Sequence, residues 1–170
     1  DGNNCTVTST VSVTQPSALS INASGISATC NGICNGQANV ITSGGTSPYQ
    51  YLWSNGNSSS SPGSLCAGTY SVVVTDANGC QVNSTLIISE PTAISLSTSS
   101  QSTHCNHNDG AASVTVQGGT PAYVYSWSGN VSNNDTLINI VAGNYSVSIT
   151  DAVGCTTNTV VNVGNSSGVN

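Results

Sequence analysis

AGTYSVVVTDANGC, residues 67–80, is written again as AGNYSVSITDAVGC at residues 142–155, 75 positions later. Asp1-Gly2-Asn3-Asn4-Cys5 stands one further period upstream, where Asp76-Ala77-Asn78-Gly79-Cys80 would predict it. A fixed period of this length marks an array in which each period is one folded unit. Within the stretch, Tyr145, Val147 and Ile149 alternate with Ser146, Ser148 and Thr150, the period-two pattern of a half-buried strand. Asp76 and Gly79 supply turn chemistry, a side-chain cap and a tolerance of positive φ. The chain then reverses into residues 81–89, so the stretch reads as the closing hairpin of a unit.

Working outward, residues 37–43 and 111–117 read as strands that end in Gly44-Gly45 and Gly118-Gly119. Next come PYQYLW (48–53) and AYVYSW (122–127), which place Tyr49, Tyr51 and Trp53, and likewise Tyr123, Tyr125 and Trp127, on one strand face. The Ser/Asn/Gly-rich stretches 54–64 and 128–135 read as loop with room for one short edge strand. No segment has a helical period. Short strands, a strand-borne Trp and a Tyr just after a Gly turn predict an all-β fold. We read it as tandem immunoglobulin-like β-sandwiches with intradomain disulfides and an extra N-terminal strand. Trp53 and Trp127 are the expected core residues, and Tyr70 and Tyr145 the expected tyrosine corners.

The boundaries follow from the period. Residues 1–16, containing VTSTVSV, match the closing strand 76–91 and read as the final strand of a preceding repeat or as a donor strand. Residues 17–91 form repeat 1, 92–164 repeat 2, and 165–170 a linker or tail. The lack of an initiator Met or leader points to a mature product or an excised piece.

Seven cysteines sort by the same register. Cys30 and Cys105 are one period apart, as are Cys5, Cys80 and Cys155. The simplest pairing joins Cys30 to Cys80 and Cys105 to Cys155. Cys34 and Cys66, absent together from repeat 2, pair with each other. Cys5 is left over: either the chain is a window on a longer array, or its first strand completes a domain of a neighbouring subunit. The window reading is favoured because repeat 2 retains its own closing strand.

Composition excludes much else. The chain has 170 residues, six acidic residues, no Lys and no Arg, and charged residues make up only 4%. Nucleic-acid binding and adhesion to anionic lipid both need cations, and Schiff-base or Lys–Asn isopeptide chemistry needs Lys. No apolar run approaches a membrane span of ~20 residues. Many cysteines in small domains point to an oxidising, secreted or cell-surface setting.

Candidate chemistry is sparse. His104, Cys105, His107 and Asp109 crowd like a metal site, but the register of Cys105 with Cys30 favours a disulfide cysteine flanked by loop histidines. Cys30 and Cys34 as half a zinc site yields to their disulfide pairing. Asp1, Asp76 and Asp151 recur at one position and read as turn caps before they read as calcium ligands. No nucleophile, base and orienter assemble, so neither enzyme activity nor a cofactor or metal is expected. Asn-x-Ser/Thr sequons at Asn22, Asn57, Asn83, Asn130, Asn134, Asn144 and Asn165 are what this composition produces by chance. Thr136, in Asp135-Thr136-Leu137, is a candidate O-glycosylation site in an expected loop.

The phrases CNG, GQANVITSGGTSPYQYLWSNG, AGTYSVVVTDANGC and ISEP together resemble the SprB repeat of Bacteroidota surface adhesins and gliding-motility filaments, over essentially the whole chain. Repeat 2 departs from the pattern at His104-Cys105-Asn106-His107 and in lacking the closing Glu-Pro. The resemblance implies type IX secretion, an extracellular filament or adhesin stalk, and no catalysis; it names no ligand. The expected partners are adjacent repeats or self-association. A surface polysaccharide-binding module is the competing reading, with Tyr49 and Tyr123 as the aromatics best placed to form a platform.

Overall fold

The alternation along each strand becomes a set of short ladders in the computed structural model, which describes all residues except 1, 3, 5, 106, 131 and 167–170. In repeat 1 the strands are β1 (Ser20–Ile26), β2 (Gln37–Ser43), β3 (Gln50–Trp53), β4 (Gly68–Thr75) and β5 (Gln81–Ile88). Repeat 2 has β6 (Ser95–Gln101), β7 (Thr103–His104), β8 (Gly110–Gln117), β9 (Val124–Trp127), β10 (Thr136–Ile140), β11 (Gly143–Thr150), β12 (Thr156–Val163) and β13 (Asn165–Ser166). A single 3-10 turn, Ser128–Asn130, follows β9.

In repeat 2 one sheet runs β10-β8-β6 and the other β12-β11-β9. Taking β6, β8, β9, β10, β11 and β12 as strands A, B, C, E, F and G of an immunoglobulin-type sandwich, with no strand in the D position among the described residues, these are sheets E-B-A and G-F-C. Ala112 and Val114 on β8 and Leu137 on β10 meet Trp127, Val147, Ile149, Val161 and Val163 of the other sheet in one buried cluster. Every second residue of β11 contributes because strand side chains alternate. Apolar residues on β8 and β11 therefore occupy the inter-sheet space where antibody domains carry a disulfide.

Repeat 1 shows the same plan with shorter ladders. Its sheets are β1-β2 and β3-β4-β5, and the edge strand equivalent to β10 shrinks to a single bridge, Gly36 with Leu65. Val40, Trp53, Val72 and Val74 are its buried counterparts. By contact density the chain divides into two compact units, residues 1–24, 39–62 and 70–86 in one and 25–38, 63–69 and 87–170 in the other. Three segments that the period assigns to repeat 1 thus belong to the second unit.

Two expectations change, and a third segment, expected to complete a domain elsewhere, is unpaired in this chain. Residues 6–16 form no strand, and Val7, Val11 and Val13 are 97%, 85% and 92% exposed. The physical reason is the lack of an edge to pair with: a lone extended segment has neither ladder hydrogen bonds nor a face to bury. Thr136 is not in a loop but opens β10, where it pairs with Ser113. The tail is also partly structured, since Asn165 and Ser166 of β13 run parallel to Thr103 and His104. Those contacts give the backbone N–H of Thr103 an acceptor in Gly164 O at 2.9 Å, as Ser89 O does for Ala28 in repeat 1.

Candidate functional site

Two constructions recur in both repeats, and each presents a cysteine. The first is the hairpin that follows β4 and β11. Asp76 Oδ1 accepts from the backbone N–H of Asn78 and Cys80 at 2.9 and 2.8 Å, while Oδ2 accepts from Thr46 at 3.0 Å. Asp151 repeats this with Val153, Cys155 and Thr120 at 3.0, 2.9 and 2.9 Å. Each carboxylate therefore ties its own turn to the Gly-Gly turn across the sandwich end. Gly45 and Gly119 have φ near +64° and +66°, and a Cβ on either would press on the carboxylate oxygen at 2.9–3.0 Å.

Both aspartates are buried, at 6% and 4% exposure. Burial alone would raise the Asp76 carboxyl, but the N–H donors of Cys80, Thr46 and Asn78 outweigh it and hold it below the ordinary value. Asp151 is held down the same way by Thr120, Cys155 and Val153. The recurrent Asp is thus a structural tie whose two oxygens are already engaged.

The second construction is the loop before β2 and β8. The backbone N–H of Thr29 donates to Asn35 Oδ1 at 3.0 Å, and that of His104 donates to Asp109 Oδ1 at the same distance. In repeat 1 the closing Glu90 secures the loop, accepting from Asn31 Nδ2 at 2.9 Å and from Gly32 N–H at 2.7 Å. Repeat 2 lacks that Glu and uses His104 instead, with Nδ1 2.8 Å from Asp109 Oδ2. The backbone and then the ring of His104 hold the Asp109 carboxyl below its usual range. His104 is thereby part of the loop's own hydrogen bonding.

The disulfides join these constructions differently from the expected pattern. Cys30 is bonded to Cys155, 125 residues away, and Cys34 to Cys66. The pairings Cys30–Cys80 and Cys105–Cys155 are replaced, leaving Cys80 and Cys105 as exposed free thiols. The period makes Cys80 and Cys155 equivalent but does not say which copy meets Cys30. The fold selects the hairpin of the following repeat, with Cα atoms 5.7 Å apart. Cys30–Cys155 thus joins residues that the period assigns to successive repeats, and it lies, like Cys34–Cys66, within the second compact unit. The expectation for Cys5 lies outside the described residues.

The aromatics serve the fold. Trp53 and Trp127 are 2% exposed, and their indole N–H groups donate to Ser59 O and Asn134 O at 2.9 and 2.8 Å. Tyr145 donates to Val141 O at 2.9 Å, the corner expected at the start of this strand. Tyr70 holds the equivalent position in repeat 1. Tyr49 and Tyr123, the residues best placed for a binding platform, are instead half-buried and donate to Gly44 O and Gly118 O at 2.6 Å. Sequence reasoning missed this second tyrosine tie, although the spacing of five from the Gly to the Tyr was visible in both repeats. In repeat 2 a groove of about 610 Å³ remains beside Tyr123, lined also by Tyr125, Asn133, Asp135, Thr136 and Ile138. Thr136 is exposed on its rim, its hydroxyl 3.0 Å from Asp135.

The model of the SprB repeat matches at residues 27–58 and again at 97–132, the same segment of each period, from the cysteine loop through the Trp strand. Two regions of the chain, one in each period, thus match the SprB repeat. No curated protein matches it. Among solved structures, it is similar to the N-terminal eight Ig domains of Down syndrome cell adhesion molecule isoform 1.30.30, at 12% identity and TM-score 0.42. That match covers 88% of this chain and 25% of the other, so the chain spans a quarter of that structure. The amphioxus IgVJ-C2 molecule is similar over 84% of this chain and 96% of its own, at 13% identity and TM-score 0.36. For the SprB repeats here, the immunoglobulin-type arrangement is carried by their strand order.

Proposed function

We propose that these SprB repeats form a load-bearing segment of an extracellular filament or adhesin stalk, made of sandwiches bonded one to the next. The observation that carries this reading is the Cys30–Cys155 bond, because it passes tension from repeat to repeat through covalent sulfur. Pulling the termini apart then loads residues 1–30 and 155–170, and the 125-residue span between the two sulfurs is sheltered. The SprB match supports a cell-surface setting, where such bonds persist. Adjacent repeats are the natural partners, and secretion through the type IX route follows from the family resemblance.

Single-molecule extension tests this. With the bridge intact, the sheltered span contributes nothing to the contour length. A reductant releases all of it, adding about 430 Å at ~3.4 Å per residue, whereas Cys155→Ser leaves Cys34–Cys66 closed over 32 residues and adds about 320 Å. Full extension of the oxidised chain would contradict the reading.

The groove between Tyr125 and Asp135 favours a second reading, a module that binds surface polysaccharide. It predicts retention of the chain on such a glycan and its loss in Tyr125→Ala. Tyr125 is the better probe, because removing Tyr123 would also release the Gly118 turn.

A further inference from the structure

We infer that Cys80 and Cys105 are the two open halves of the same repeat-to-repeat bridge. Their partners are the equivalent cysteines of adjoining SprB repeats. The inference rests on the stalk reading and extends it to the segment's ends. Its basis is that the structure contains one completed example. Cys30, in the loop of one repeat, is bonded to Cys155, in the hairpin of the next. Cys105 is the loop cysteine of repeat 2, and Cys80 is the hairpin cysteine of repeat 1.

Both half-sites are built as the completed bridge is. The N–H of Cys80 is fixed by Asp76 Oδ1 at 2.8 Å, as that of Cys155 is by Asp151 at 2.9 Å. The residues before Cys105 and Cys30, His104 and Thr29, each anchor their N–H on a side-chain oxygen at 3.0 Å. Both thiols are exposed, so an incoming hairpin or loop can reach them. The rule read from Cys30–Cys155 assigns each a different partner. Cys105 takes the hairpin cysteine of the following repeat, and Cys80 the loop cysteine of the preceding one. Between two copies set end to end, that is Cys105 of one copy with Cys80 of the other.

The chemistry needs an oxidant, and a small-molecule disulfide supplies it. One thiolate attacks oxidised glutathione, forming a mixed disulfide and releasing one glutathione thiolate. The second protein thiolate then attacks the protein sulfur of that intermediate and expels the other glutathione. Two thiols are oxidised to one disulfide, one glutathione disulfide is reduced to two thiols, and the thiol protons end on glutathione.

The test uses the full chain with Cys5→Ser throughout, in a buffer of oxidised and reduced glutathione. Cys80→Ser and Cys105→Ser variants are each incubated alone and then mixed, and products are read on non-reducing gels with peptide mapping. The mixture is expected to give a covalent dimer linked Cys80 to Cys105, at least tenfold above the dimer from either variant alone. Equal dimer in the single-variant samples, or thiols that stay free in the mixture, overturns the inference. In an end-to-end fusion of two copies, a bridge within one polypeptide identifies adjoining repeats as the source, and a bridge between polypeptides a second subunit. Either supports the Cys80–Cys105 bridge. Mapping also separates the two readings: a missing Cys80–Cys105 link with Cys30–Cys155 intact removes only this inference. Cys30 found on Cys80 removes the stalk reading as well.

Discussion

At the scale of single residues, Asp76 and Asp151 are buried polar ties, one at the end of each sandwich. Each accepts three backbone N–H bonds from two separate turns. Their carboxyls are held below the ordinary value, and so is that of Asp109. A depressed native pKa favours folding wherever the unfolded carboxyl is ionised. The contribution is therefore complete above the unfolded value of about 3.9 and disappears as pH falls through the lower native values. Urea midpoints should be flat from pH 7 to about 5 and decline only below about pH 4. In Asp151→Asn that acid-induced decline should be smaller and the midpoint at pH 7 lower. A midpoint unaffected by the substitution at pH 7 would mean the tie contributes nothing.

The recurrence of this Asp was plain from the repeated phrase, and its turn role followed from the Asp-x-x-Gly spacing. Its reach to Thr46 and Thr120 was not readable, because that bond spans some 30 residues and depends on how the Gly-Gly turn packs. The tyrosines show the same limit. Alternation placed Tyr123 on a strand face, but whether its hydroxyl met solvent or Gly118 O depended on a turn that alternation does not describe.

At the scale of elements, the two sheets of repeat 2 are held by strands that each offer three buried residues at most. Trp127 is the largest of these, packed from β9 against Val147 on β11. Trp127→Ala should cost about 3–5 kcal/mol, because it leaves a cavity and orphans the Asn134 carbonyl that the indole N–H satisfies. Equilibrium unfolding followed by circular dichroism measures it, and a loss under 1 kcal/mol would mean the core is organised elsewhere. Strands 37–43 and 111–117 were legible from their alternation and their Gly-Gly ends. The edge strand β10 was only half legible, since Thr136-Leu137-Ile138-Asn139-Ile140 sits in polar sequence with a bulge between Ile138 and Ile140. The extended valines of residues 7–13 occupy the register of Val82, Leu86 and Ile88 on β5, the inward positions of a closing strand. Their pattern records a sandwich face to which this chain supplies no partner strand among the described residues.

At the scale of the whole molecule, the period decides which positions are equivalent but leaves open which copies touch. A loop cysteine can meet the hairpin cysteine 50 residues on or the one 125 residues on, and both satisfy the repeat. The fold takes the longer closure, and in the chain-entropy model a loop of that size stabilises by about 5 kcal/mol, against about 4 for Cys34–Cys66. It also changes what the bond does: the expected closure would tie each repeat to itself, while the observed one ties segments of successive periods together within the second compact unit. The most direct test is disulfide mapping of the unreduced chain, digested with pepsin at low pH, where thiols do not exchange; trypsin has no site here. The expected product is a peptide containing Cys30 linked to one containing Cys155. Cys30 recovered on the Cys80 peptide, with Cys105 on Cys155, would contradict it.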